Sequence, residues 1–129
     1  MSKRRLMYIE LKTGYSDNGP AWISNVTFSK SGETIYFNGM ALKKMRKGGI
    51  AGNFLDLESR DEYWVSGVKK TGTDRHWAGS GKIQIDANAL SEFLQHTGQR
   101  ELDSTQYEIT YNIIATDPQK FYELENQKF

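Results

Sequence analysis

The sequence predicts an α+β domain whose strand-rich part closes into a small β-barrel or a strongly curved antiparallel sheet, with one or two C-terminal helices. Three observations carry this. Short stretches between residues 6 and 86 alternate apolar and polar side chains with period two, the pattern of strands half-buried against a core. Eight of the twelve glycines lie between Gly39 and Gly81, and glycine in or beside strands marks the bulges and bends that small barrels need. Helix signals begin only at Asp86, so about six or seven short strands precede the helices.

The elements follow in chain order. In Leu6–Lys12, Met7, Ile9 and Leu11 share one face, with Tyr8, Glu10 and Lys12 on a polar partner face. Gly14–Pro20 is built almost wholly of turn formers and reads as a loop. Trp22–Ser29 resumes the alternation, with Trp22, Val26 and Phe28 on one face and Asn25, Thr27 and Ser29 near the other. Lys30-Ser31-Gly32-Glu33 turns the chain back into Thr34–Asn38. Asn38-Gly39 is a second hairpin signal. Met40–Met45 fits either a strand or one helical turn, and Arg46–Asn53 is a basic, glycine-rich loop. Phe54–Leu57 and Glu62–Lys70 form a hairpin around Glu58-Ser59-Arg60-Asp61, and Thr71–Gly81 is a long loop before a strand at Lys82–Asp86.

Asp86 then suits a helix N-cap, and Leu90, Phe93 and Leu94 fall on one face of a helix over 87–97 that Thr97-Gly98 stops. A strand over 107–114 follows. Asp117-Pro118 pairs a cap with proline at the first helical position and starts a short helix over 118–127. No linker or repeat divides the chain, so residues 1–129 read as a single domain of 14.8 kDa. A chain of this length buries enough surface to be stable without disulfides or a structural metal.

Several function classes fall away. The chain has no cysteine, which excludes disulfide frameworks, thiolate zinc sites, iron–sulfur clusters and cysteine nucleophiles. Its apolar runs are far shorter than a membrane span needs. The basic start meets Glu10 and Lys12 before any signal-peptide core can form, so a soluble, cytoplasmic protein is expected. Gly67-Val-Lys-Lys-Thr-Gly72 has P-loop spacing, but Thr73-Asp74 follows where Lys-Ser/Thr is required. No P-loop nucleotide is expected, and no cofactor. His76 and His96 stand twenty residues apart, too few and too separate for a zinc centre, so no metal is expected.

The net charge of +1 conceals an asymmetry: residues 1–53 carry +6 and residues 83–129 carry −5. Such a split means either an anionic partner on one face or two ends of the chain lying against each other. Lys43, Lys44, Arg46 and Lys47 sit beside one glycine-rich loop, and Lys69, Lys70, Arg75 and Lys82 flank the other. Tyr8, Tyr15, Tyr36, Trp64 and Trp77 supply rings for stacking wherever they are exposed. This combination predicts a non-enzymatic binding domain for a protein or peptide, or for single-stranded nucleic acid. Loops 46–53 and 71–81 form the surface, with Lys47, Lys70, Arg75, His76 and Trp77 as contacts. The alternative is a small hydrolase or transferase at Asp74–Gly81, with His76 as base and Asp74 or Ser80 assisting. No Gly-x-Ser-x-Gly elbow surrounds Ser80.

Six strings recur together: Tyr8-Ile-Glu-Leu-Lys-Thr-Gly14, Asp17-Asn-Gly-Pro-Ala-Trp-Ile23, Phe28-Ser-Lys-Ser-Gly32, Thr34-Ile-Tyr-Phe-Asn-Gly39, Glu62-Tyr-Trp-Val-Ser-Gly-Val-Lys-Lys70 and Asp74-Arg-His-Trp-Ala-Gly-Ser-Gly-Lys-Ile83. They resemble a group of small uncharacterised bacterial proteins, some of them labelled 1-deoxy-D-xylulose-5-phosphate synthase. The resemblance spans roughly residues 8–94. That synthase is a large thiamine-diphosphate enzyme that holds the cofactor's magnesium through Gly-Asp-Gly, a string this chain lacks. A chain of 129 residues also has no room for the two α/β layers that flank the cofactor. The resemblance therefore implies a bacterial setting and transfers no catalytic residue.

Overall fold

The computed structural model describes residues 4–12, 20–45, 52–70 and 82–125. Among them run eight strands: β1 (Arg4–Lys12), β2 (Ala21–Phe28), β3 (Thr34–Phe37), β4 (Met40–Lys44), β5 (Phe54–Asp56), β6 (Glu62–Gly67), β7 (Ile83–Asp86) and β8 (Tyr107–Thr110). Helix α1 (Leu90–Thr97) lies between β7 and β8, and α2 (Tyr122–Glu125) follows β8. Short 3-10 turns, Ala87–Ala89 and Pro118–Phe121, lead into the two helices.

Strands β1 to β6 make an antiparallel barrel in the order β1-β6-β5-β4-β3-β2, closed by pairing of β2 with β1 from Arg4↔Thr27 to Glu10↔Ala21. Met40–Lys44, ambiguous in sequence, is a strand because both of its edges find partners, β3 and β5. Between β3 and β4, Asn38 and Gly39 both take positive φ, 49° and 77°, the hairpin turn that matches strand twist. Alternation then sorts the side chains. Met7, Ile9, Val26, Ile35, Phe37, Leu42, Phe54, Tyr63 and Val65 fill the barrel.

Strand β2 forks. Its C-terminal end pairs with β3 at Thr27↔Tyr36 and Phe28↔Ile35, while its start pairs in parallel with β7 at Trp22↔Gln84 and Ile23↔Ile85. At the fork the Ser24 hydroxyl donates to Asp86 Oδ2 at 2.9 Å. Strand β8 extends the sheet parallel to β7. Parallel neighbours need a crossover, and α1 is that crossover. The helix expected over 87–97 is divided: Asp86 Oδ1 accepts the Asn88 N–H and caps the Ala87–Ala89 turn, while α1 itself starts at Leu90 and stops at Gly98, whose φ is 73°. Phe93 of α1 packs with Leu6, Tyr8, Ile23, Ile85 and Tyr107 on the outside of the barrel wall.

That packing corrects the expected polar face of β1. Tyr8 and Glu10 are 0% and 2% exposed, because the βαβ unit gives the outer wall a second core that β1 also faces. The strand expected over 107–114 also ends early, at Thr110. Strand β7 stops at Asp86, opposite Thr110, so the chain beyond has no ladder to continue, and Tyr111 is exposed. Residues 111–117 strap the β3–β4 turn instead. Ile113 packs against the barrel core, the Ile114 N–H donates to Asn38 Oδ1 at 3.1 Å, and the Gly39 N–H donates to Thr116 Oγ1 at 2.6 Å.

Asp117 caps the following turn through the Gln119 N–H, with Pro118 at its start. The helix expected over 118–127 is the Pro118–Phe121 turn followed by α2, and residues 126–129 lie outside the described set. Phe121 is buried against Tyr36, Ala41 and Leu57. The acidic C-terminal part thus meets the basic N-terminal part, as in the Arg4–Glu92 pair at 4.0 Å. No described helix is long and apolar enough to cross a membrane.

Candidate anion-binding site

Three basic residues lie close together at the end of β4 and in the turn after β5. Lys43 and Lys44 end β4, and Arg60 stands in the β5–β6 turn. Together with Met45, Leu55 and Leu57 they line a concavity of about 150 Å³. Leu55 is placed there by its pairing with Lys43 on one side and Glu62 on the other.

Arg60 is held by the turn it belongs to. The Asp56 carboxylate accepts the Glu58 N–H at 2.8 Å and the Ser59 N–H at 3.3 Å, and the Asp56 carbonyl accepts the Arg60 N–H at 2.9 Å. This leaves Arg60 at φ 68°, a left-handed conformation that costs a residue with a Cβ about 1 kcal/mol. Glycine or asparagine is the usual occupant of such a position, yet the chain carries an arginine there. Strained positions of this kind cluster at functional sites.

Two carboxylates lie near the concavity. Glu58 Oε1 lies 3.6 Å from Lys120 Nζ, and Glu62 Oε1 accepts the Gly52 N–H at 2.9 Å. Lys43, Lys44 and Arg60 thus share the lining of the concavity with three apolar side chains.

Trp64 lies on the same outer face, two residues along β6 from Glu62, and is 42% exposed. Two strand spacings and two residues put it on the order of 12 Å from Lys43 between Cα positions.

Of the sequence-predicted contacts, Lys70 is described and exposed. Lys47, Arg75, His76 and Trp77 lie outside the described residues, as do Asp74 and Ser80 of the hydrolase alternative. Tyr8 and Tyr36 are buried and offer no stacking surface, whereas Trp64 does. Lys43 and Lys44 were legible as a basic run. Arg60 was not, because its approach depends on the β4–β5 register and on the turn. Its one sequence signal is a cation inside a four-residue hairpin turn.

Two other polar clusters are structural in their contacts. On β1 the buried Glu10 accepts from the Tyr8 hydroxyl at Oε1 and from Lys12 Nζ at Oε2, the latter at 2.7 Å. Both carboxylate oxygens are satisfied, as burial requires. His96 Nε2 meets the Val68 carbonyl at 2.7 Å and ties α1 to the chain just beyond β6. Among the described residues no three His, Cys, Asp or Glu side chains converge on a point that could hold a metal.

Compared with known proteins, the chain matches no family model, no curated protein and no solved structure.

Proposed function

We propose that this chain is a non-enzymatic binding domain that takes single-stranded nucleic acid on its outer barrel wall, in the cytoplasm of a bacterium. The observation that supports the reading is that Lys43, Lys44 and Arg60 line one concavity, with the exposed ring of Trp64 on the outer face that Lys43 shares. Phosphate-binding cations beside a stacking ring are the two ingredients of sequence-tolerant single-strand binding. The sequence reading adds Lys47, Lys70, Arg75, His76 and Trp77, on loops 46–53 and 71–81, as contacts, and of these only Lys70 is among the described residues.

The test is a titration of intrinsic tryptophan fluorescence with short mixed-sequence single-stranded DNA and RNA at about 50 and 200 mM salt. Counterion release makes log K fall with log salt by roughly 0.7 for each phosphate contact on a single strand. Replacing Lys43, Lys44 and Arg60 by alanine lowers that slope by about 2. Absence of binding at the lower salt overturns the reading.

A peptide partner is the second reading, supported by the sheet's edge. Among the described residues β8 pairs with β7 alone, and an extended peptide adds to such an edge through main-chain hydrogen bonds.

A further inference from the structure

We propose that β8 pairs along its open edge with β8 of a second copy of this chain, antiparallel and across a two-fold axis beside Ile109. The inference rests on the reading of β8 as an open edge and names the strand that fills it.

Three features point to a second copy. The first is what the edge lacks. Among the described residues β8 pairs with β7 alone, and sheet edges are ordinarily blunted by lysine, proline or a bulge. From Tyr107 to Thr116 the chain reads Tyr-Glu-Ile-Thr-Tyr-Asn-Ile-Ile-Ala-Thr, with Glu108 as its single charge and neither proline nor glycine. Composition of that kind favours pairing with a like strand.

The second is phase. The Ile83 N–H donates to the Gln106 carbonyl at 3.0 Å, and Ile85 lies opposite Ile109. Main-chain groups of successive strand residues turn alternately toward and away from one neighbour, so Ile109 turns its N–H and carbonyl to the open side. An axis beside Ile109 lets the two copies of that residue exchange both N–H···O bonds, the hydrogen-bonded pair of an antiparallel ladder. The same register sets Glu108 directly opposite Thr110 of the other copy rather than opposite a second glutamate, and like charges directly opposite would be destabilising.

The third is shape. A hollow of about 510 Å³ runs beside β8, lined by Lys82, Leu102, Ser104, Tyr107, Glu108 and Ile109. Tyr111 directly follows β8 and is 81% exposed. In this register it falls opposite Tyr107 of the other copy. Each copy thus brings an uncovered ring to the hollow of its partner, and a two-fold interface makes every such contact twice.

The experiment is sedimentation of the full chain over a range of concentrations, with exchange of the Ile109 amide followed by NMR at both ends of the range. The mass is expected to rise with concentration from 14.8 kDa towards twice that value. The Ile109 amide, quick to exchange in the monomer, is expected to slow on the order of tenfold as the dimer forms. Tyr111→Lys changes a position that the folded monomer leaves exposed. It is expected to weaken association on the order of tenfold, because the axis brings the new charge in twice.

A chain that stays monomeric with a quickly exchanging Ile109 amide overturns the second copy as the occupant and leaves the edge open to a peptide. A monomer whose Ile109 amide is protected overturns the open edge as well. A dimer that Tyr111→Lys leaves unchanged, or in which Ile109 gains no protection, overturns the placement of the axis at β8.

Discussion

The Asn53 carboxamide lies against the backbone of Val65, donating from Nδ2 to the Val65 carbonyl and accepting the Val65 N–H at Oδ1, each at 2.8 Å. A side chain here does the work of a neighbouring strand and satisfies two groups that β5 is too short to reach. Gly52 precedes it for a steric reason: a Cβ there would sit 2.6 Å from the Tyr63 carbonyl oxygen and 2.9 Å from the Tyr63 nitrogen. The Met45 N–H closes the base by donating to the Asn53 carbonyl at 3.0 Å. Sequence alone marks Gly52-Asn53 as a loop end, but it does not reveal that the pair anchors β6, because the partner backbone is supplied by tertiary contact. Asn53→Ala is expected to cost about 1–3 kcal/mol in urea unfolding, since it strands two backbone groups. Gly52→Ala must displace backbone, so it is expected to lower the unfolding midpoint further than an ordinary loop substitution does. Arg60→Gly acts in the opposite direction. Relief of the left-handed strain is expected to stabilise the fold by up to about 1 kcal/mol, a gain read in the same unfolding curve. A loss of stability would show that the arginine holds the turn through its own contacts.

At the scale of elements, periodicity reports which residues share a face but not what covers the face. The Lys30–Glu33 and Asn38–Gly39 hairpins were legible because local chemistry decides them: the turn at Asn38-Gly39 takes the two positive φ values its sequence calls for. The cap at Asp86 was legible for the same reason, although it caps the Ala87–Ala89 turn that leads into the crossover helix rather than the helix itself. Partnership was not. Tyr8 alternates with apolar residues like a solvent-facing strand residue, yet α1 and β7 cover it. Tyr111 continues the period of β8, yet β7 ends one residue too soon to receive it. Non-local pairings of this kind follow from the whole arrangement and leave no mark on either segment alone. The helix that covers the outer wall is anchored by Phe93, which is fully buried and tilted against Tyr107 with ring centroids 5.2 Å apart. Phe93→Ala is expected to cost about 3–5 kcal/mol, the range for truncating a buried aromatic side chain. Hydrogen exchange should show α1 and β8 losing protection before the barrel does. Uniform loss across all strands would mean that the βαβ unit and the barrel fold as one cooperative block.

At the scale of the whole molecule, Tyr63, the one phenol in the inner core among the described residues, reports on the integrity of the ring. Tyr63 faces inward from β6, and its hydroxyl meets Met40 Sδ at 3.3 Å. Burial first, and then the nearby Asp56 and Asp61 carboxylates, push its pKa from 10.0 up to about 12. Both causes disfavour the phenolate, so the folded barrel binds the proton more tightly than the unfolded chain does. Stability from this source is complete below pH 10 and is lost as pH rises from 10 towards 12. Other groups titrate over that window too, lysines among them, so the total loss does not isolate Tyr63. The difference between wild type and Tyr63→Phe does. Phenylalanine keeps the ring in the core and removes the ionisation, so its urea midpoint should fall less steeply than the wild type's between pH 10 and 12. Below pH 10 the two midpoints should run parallel. Coincident slopes across the alkaline window would mean that the phenol ionises in the folded state as readily as in the unfolded one. The barrel would then admit water to the Tyr63 hydroxyl, and the ring would be looser than the packing of Ile9, Leu42, Phe54 and Val65 around Tyr63 implies.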